Sequence, residues 1–302
     1  MLFKSNGKIL LSSEYLILDG AKAIALPSKL TQDLHVTECD EKIIEWESID
    51  EKGNLWYSEK FYLKNNNLTY GGEKNKVSEK LLLLFNHIIK AKELKNIFGN
   101  KFLTKLNFKR EWGLGTSSTF VNNLAKWANI DPYKLLFSAF SGSGYDIACC
   151  DINNPIIFQK KQNTINIKNV SFNPPFADNI YLIHLEKKQN TESSVKNYLK
   201  IKSDKYDYVK RINLISEEII KSTDLGHFED LITEHESIIS KAISQKPLQK
   251  TTFSDYTDGK VKSLGAWGGD FILVTSKNND LDYFKNKGYD TILKLSDIMY
   301  ID

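Results

Sequence analysis

The run Trp112-Gly113-Leu114-Gly115-Thr116-Ser117-Ser118-Thr119 takes its meaning from what stands on either side of it. Before it, Phe102, Thr104, Leu106 and Phe108 alternate with Leu103, Lys105 and Asn107, the period-two pattern of a strand with one more apolar face. After it, Phe120, Val121, Leu124, Ala125 and Ala128 recur at helical spacing, with Asn122, Asn123, Lys126 and Asn129 between them. The run is therefore a strand-to-helix turn. Its glycines let backbone approach a ligand closely, and the helix begins where its unpaired N–H groups face the loop. An anion, above all a phosphate, suits such a place. An ordinary turn capped by Thr116 or Ser117 needs a single hydroxyl, yet four hydroxylated residues stand in succession.

No Gly-Lys-Ser/Thr closes the loop, which excludes a Walker A motif, and Ser118 stands where a dinucleotide fingerprint needs its third glycine. The run resembles the central motif of the GHMP small-molecule kinases, written P-x-x-x-G-L-G-S-S-A. In that family the loop wraps the ATP phosphates and the second hydroxyl residue after the last glycine holds magnesium. The resemblance thus implies that Gly113, Leu114, Gly115, Thr116, Ser117 and Ser118 bind ATP and that Ser117 is a Mg²⁺ ligand. The family's proline ahead of the loop is replaced by the stretch Lys109, Arg110, Glu111.

A chain of 302 residues and 34.6 kDa buries a substantial core and has room for one large or two moderate domains. Its 41% hydrophobic and 26% charged residues are ordinary for a soluble globular protein. The net charge of +3 comes from 41 basic and 38 acidic residues without a block long enough for a nucleic-acid arm. Cys39, Cys149 and Cys150 fit neither a zinc spacing nor an even disulfide framework and suit a reducing cytoplasm, with Cys149 and Cys150 as small packing residues. No signal peptide and no apolar run near the ~20 residues of a membrane span is found, so the expected location is cytoplasmic.

Strands are expected over residues 8–18, 23–26, 34–38, 43–47 and 56–63, with Asp19-Gly20 marking a hairpin between the first two. A helix is expected over 78–98, ending at Gly99, and another begins at Asp131-Pro132, with Asp as N-cap and Pro at the first helical position. Further strands are read at 153–159, 165–172, 180–185 and 291–295, and further helices at 206–222, 228–244 and 281–287. Pro174-Pro175 suggests a boundary between domains 1–175 and 176–302. Strands and helices interleave without regular βαβ alternation, which argues for two α+β domains.

Three further segments fall in family order. Gly7-Lys8-Ile9-Leu10-Leu11-Ser12-Ser13-Glu14-Tyr15 would by itself be a hairpin with solvated charges, but it is similar to the opening motif of mevalonate and phosphomevalonate kinases, G-K-x-x-x-x-G-E-[HY]. There the lysine touches the transferring phosphate or the acceptor hydroxyl, a role that falls on Lys8; Glu14 and Tyr15 match the E-[HY] pair, and Ser13 replaces a glycine. Leu264-Gly265-Ala266-Trp267-Gly268-Gly269-Asp270 resembles the third motif, and its Gly268, Gly269 and Asp270 look like the phosphomevalonate kinase form. Trp267 among these glycines either walls the substrate pocket or packs against the first domain. Gly144-Tyr145-Asp146-Ile147-Ala148 places Asp146 where these kinases carry their catalytic aspartate, and it is similar to a bacterial subgroup named for this Gly-Tyr-Asp-Ile-Ala sequence.

The resemblance implies a two-domain GHMP kinase fold of the α+β class, with an N-terminal domain like the second domain of ribosomal protein S5 and a ferredoxin-like C-terminal domain. It implies an enzyme that moves the γ-phosphoryl group of ATP, with Mg²⁺, onto a small acceptor, phosphomevalonate or mevalonate first among them. Asp146 and Lys8 are the expected catalytic residues, a contact between them keeping Asp146 ionised. Glu14, Tyr15, Ser193, Ser194, Gly268, Gly269 and Asp270 are expected to bind the acceptor, Ser193 and Ser194 following the cations Lys187 and Lys188. The expected partners are a small-molecule substrate and a second copy in a homodimer, with neither nucleic acid nor membrane. A diphosphomevalonate decarboxylase-type lyase and a non-catalytic ligand sensor remain as alternatives.

Overall fold

The computed structural model describes residues 1–65, 67–92, 97–162, 164–189 and 191–301, without the side chains of Lys92 and Thr191. The chain divides into two discontinuous compact units: residues 1–7, 30–110 and 115–151, and residues 8–29, 111–114 and 152–302. Strands β1 (Leu2–Leu10) and β2 (Ala23–Glu38) each run from one unit into the other. Pro174 and Pro175 lie inside the second unit.

In the first unit, β3 (Ile44–Ile49), β4 (Leu55–Lys64), β5 (Asn67–Tyr70) and β6 (Asn100–Leu106) join the end of β2 in the order β5-β4-β3-β6-β2. β3 and β6 are parallel and the other pairs antiparallel. The pleat explains the burial: Ile44, Trp46 and Ser48 point inward on β3 while Glu45 and Glu47 point outward. Trp46 stacks on Phe102 and meets Phe85 edge-on, and its Nε1 donates to Ser48 Oγ at 2.9 Å, so the indole is buried without an orphan donor. Helices α1 (Lys76–Lys92), α2 (Thr116–Ala128) and α3 (Pro132–Ala139) close this core with Leu84, Ile88, Val121, Leu124 and Leu135. Residues 93–96 of the helix expected over 78–98 lie outside the described residues. Asp131 caps α3 as its sequence requires, accepting from the amides of Tyr133 and Lys134. A short helix, α4 (Tyr145–Cys149), packs on α2.

In the second unit, β7 (Ile156–Lys161) pairs with the start of β2 and with β8 (Thr164–Asn169). A separate antiparallel sheet has the order β10-β11-β9-β12, built from β9 (Ile180–His184), β10 (Val261–Ser263), β11 (Phe271–Thr275) and β12 (Ile292–Lys294). Every residue of β9 and β11 is buried, which is why both read as continuous apolar runs. Helices α5 (Thr191–Tyr198), α6 (Tyr206–Lys221), α7 (Leu225–Ile243), α8 (Asp282–Asn286) and α9 (Leu295–Ile298) complete the unit, α6 and α7 packing together. The Asp19-Gly20 signal resolves as a 3-10 turn, Leu16–Asp19, ended by Gly20 at φ 86°. No helix among the described residues is long and apolar enough to cross a membrane.

Candidate functional site

The glycine-rich run is divided between the units: Gly113 and Leu114 belong to the second, Gly115 to Ser118 to the first. Gly115 takes φ 89°, a left-handed conformation that costs a residue with a Cβ about 1–2 kcal/mol. It delivers the chain into α2 without any side-chain cap. The four hydroxyls behind it split by direction. Ser118 Oγ donates to the Gly115 carbonyl at 2.8 Å, and Thr119 Oγ1 donates to Gln32 Oε1 in the core. Thr116 and Ser117 make no side-chain hydrogen bond among the described residues, and Ser117 is exposed. The helix therefore presents uncapped amides and an open hydroxyl at its positive end, the arrangement that takes a phosphate. Ser117 is also a hard oxygen of the kind that suits Mg²⁺, an ion that completes its shell with water and substrate phosphates. No group of three His, Cys, Asp or Glu suited to a metal occurs among the described residues.

Asp146 sits in the first turn of α4, half-buried, two residues after Gly144 at φ 89°. The left-handed torsion favours glycine at Gly144, and a Cβ there would lie a tight 3.1–3.2 Å from the Phe137 and Tyr133 rings. Asn122 of α2 donates to Asp151 Oδ2 at 3.0 Å, which fastens the segment after α4 to the loop's own helix.

In the second unit, the Lys8 amide donates to the Leu114 carbonyl at 3.0 Å and its Nζ to the Gly113 carbonyl at 3.2 Å. Gly113 takes φ 67°, and a Cβ on it would stand 2.5 Å from Asp270 Oδ2, so the Asp270 carboxyl is packed on this glycine. Burial raises the Asp270 pKa, opposed by the Gln189 amide and by the charges of Lys8, His184 and Lys188. Asp270 Oδ1 accepts from the Gln189 amide at 3.1 Å, and the Gln189 side chain donates to the Trp267 carbonyl. Segment 187–189 thus lies along the glycine cluster, with Lys187 and Lys188 exposed, and a Cβ on Gly269 would stand 2.7 Å from the Lys187 carbonyl oxygen. Trp267 is buried at 1% exposure, at φ 50°, and is packed away from solvent.

Tyr15 Oη donates to the Ala266 carbonyl at 2.8 Å, and the ring lies 5.2 Å from that of Tyr198. Lys8, Tyr15, Ser194 and the 266–270 turn are therefore all placed within one unit. Ser193 is exposed on the same helix. Glu14 is instead fully buried, its oxygens on Lys262 Nζ and 3.2 Å from His235 Nε2. Lys262, His235 and Glu236 escaped the sequence reading. One signal was there: His235 stands four residues after Leu231 and three before Ile238, on the apolar face of its helix.

No protein-family model matches the chain, and no curated protein matches its sequence. Solved structures match over nearly its whole length. Mevalonate kinase of Methanococcus jannaschii superposes with a TM-score of 0.65 at 16% identity, covering 100% of this chain and 98% of that one. Phosphomevalonate kinase of Streptococcus pneumoniae, solved with phosphomevalonate and AMPPNP, gives 0.66 at 14% identity over 94% of each chain. Galactokinase of Lactococcus lactis, solved with galactose, gives 0.68 at 12% identity over 99% of this chain and 93% of that one. The fold is that of the GHMP kinases. The α+β class expected from the sequence is thereby observed, and the glycine run leads into the first turn of α2.

Proposed function

We propose that the chain is an ATP-dependent small-molecule kinase, and that its acceptor is phosphomevalonate or mevalonate. The observation that carries the reading is the uncapped start of α2 behind two left-handed glycines, with Ser117 exposed and neither Thr116 nor Ser117 held by a side-chain hydrogen bond among the described residues. Gly113 to Ser118 cradle the triphosphate of the substrate ATP with backbone amides. Lys8, fixed on the loop carbonyl at Gly113, offsets charge at the γ-phosphoryl group. Asp146 orients the attacking acceptor oxygen, and takes its proton where that oxygen is a hydroxyl, while the oxygen bonds to the γ-phosphorus and the bond to the β-phosphate oxygen breaks, releasing ADP. Ser117 would hold Mg²⁺, which when bound neutralises charge on the β- and γ-phosphates. Tyr15, Ser193, Ser194, Gly268, Gly269 and Asp270 orient the acceptor, with Lys187 and Lys188 nearby to attract an anionic one. Glu14, enclosed on Lys262 and His235, does not contact the acceptor.

The acceptor class leans on the Glu14-Tyr15 pair, on Gly269-Asp270 and on the two serines of α5. ADP release with mevalonate, phosphomevalonate, homoserine and hexoses in parallel tests it. Turnover with one of the mevalonate compounds is the expected result. Turnover confined to a sugar would overturn the acceptor, CO₂ release from a diphosphorylated compound would assign a lyase, and nucleotide binding without turnover would assign a sensor.

A further inference from the structure

Ser13 and Tyr15 both hold left-handed torsions, φ 68° and 62°, although neither is glycine. Such a conformation persists only where the surroundings over-determine it. The surroundings here are a group of ionisable side chains, all buried in the second unit. The Ser13 amide donates to His235 Nε2 at 2.8 Å, which fixes the ring proton on Nδ1. Glu14 Oε1 is held by Lys262 Nζ, which also donates to the Ser263 carbonyl at 2.9 Å. Ser263 Oγ donates to Glu236 Oε2 at 3.1 Å, tying α7 to β10. On the far side of the turn, Ser13 Oγ donates to the Lys22 carbonyl and Tyr15 Oη to the Ala266 carbonyl. Lys262 stands four residues before Ala266 on the same strand and turn. A single buried cation therefore anchors both the Ser13-Glu14-Tyr15 turn and the root of the 264–270 glycine turn.

We propose that Lys262 and His235 are positioning residues: by gripping Glu14 and the Ser13 amide they impose the left-handed turn and seat Tyr15 against the glycine turn. This rests on the kinase reading only for its consequence, the placing of the acceptor. Neither residue touches the reacting atoms. The apolar alternative to an ion pair would supply packing equally well, so what the pair adds is direction: one acceptor for one strained amide, and one cation for one carboxylate.

The test compares hydrogen exchange and kinetics in the full chain. Glu14→Gln/Lys262→Met removes both charges at nearly constant volume, so it folds where the single Lys262→Met leaves a buried carboxylate alone. With far-UV circular dichroism unchanged, the amides of Ser13 and Ile17 are expected to exchange about tenfold faster or more in this double variant, while α2 amides keep their wild-type rates. His235→Leu should do the same, and His235→Gln, whose amide oxygen reaches the place of Nε2, should restore protection. The acceptor KM should rise about tenfold with the nucleotide KM unchanged, since a displaced positioning group acts on the substrate it orients. Unaltered exchange at 13–17, uniform acceleration through the whole second unit, or failure of His235→Gln to differ from His235→Leu would overturn the proposal. If the wild type turns over no acceptor, the kinase reading fails, and the exchange result still decides whether these residues hold the turn.

Discussion

A glutamine in place of Glu236 removes a titrating proton from the core of the second unit without changing the size of the side chain. Glu236 is 4% exposed, and burial, with Glu14 nearby and against the pull of Lys262, pushes its pKa up to about 8 from an unfolded value of 4.5. Between those values the folded chain keeps a proton that the unfolded chain has released, so stability falls by about 1.4 kcal/mol per pH unit as pH rises. His235 acts in the other direction. Burial and Lys262 hold its pKa well below 6.5, so the unfolded chain alone takes up a proton on acidification and stability falls below pH 6.5.

The two slopes oppose each other below pH 6.5, and of the pair only that of Glu236 remains above it. From pH 6.5 to 8 the wild type should therefore lose about 2 kcal/mol through Glu236. Burial also raises the Glu14 pKa, and because Glu14 is present in both proteins the difference between them reports Glu236 together with its coupling to Glu14. Urea unfolding of wild type and Glu236→Gln, followed by far-UV circular dichroism at pH 6.5, midway and at pH 8, measures this directly. The wild-type curve should move to lower urea as pH rises, and the variant's should lack that part of the movement. Equal loss in both proteins would refute the reasoning, because Glu236 would then be ionised in the folded chain throughout.

Gly113→Ala places a Cβ against the Asp270 carboxyl in a left-handed conformation; nucleotide affinity by titration calorimetry should fall about tenfold, from about 1–2 kcal/mol of strain, while unchanged affinity would separate Gly113 from the phosphate loop. Gly259→Ala sets a Cβ 2.0 Å from the Thr275 backbone carbonyl, where β11 is hydrogen-bonded to the Lys260 segment. That clash cannot be relieved by a side chain, so the loss of stability in urea should reach about 3 kcal/mol.

Long periodic elements and the glycine motifs were legible because a single residue type or spacing dictates them. α6 and α7 follow their apolar stripes, α3 begins at the Asp131-Pro132 pair, and the positive torsions at Gly113, Gly115, Gly144 and Gly268 fall in the motifs. β2 was less legible: expected as two strands at 23–26 and 34–38, it runs unbroken through Pro27 and Ser28. Its continuity there is maintained by distant partners, the Tyr300 amide on the Pro27 carbonyl and a bridge from Ser28 to Met299. The same reason hid the buried charges. Glu14 and Lys262 are 248 residues apart, and nothing local to either announces that a lysine, ordinarily a surface residue, will be enclosed. Glu14 was legible as part of a motif, but its environment was not.

The central claim is that Asp146 orients the attacking oxygen, and deprotonates it where it is a hydroxyl, during phosphoryl transfer from a nucleotide held at the head of α2. Asp146→Asn keeps the shape of the side chain and removes its basicity. Measured side by side, kcat for ADP release should drop about 10²–10⁴-fold, while the dissociation constant for the nucleotide stays at its wild-type value. Near-normal turnover in that variant, or loss of nucleotide binding together with activity, would contradict the account.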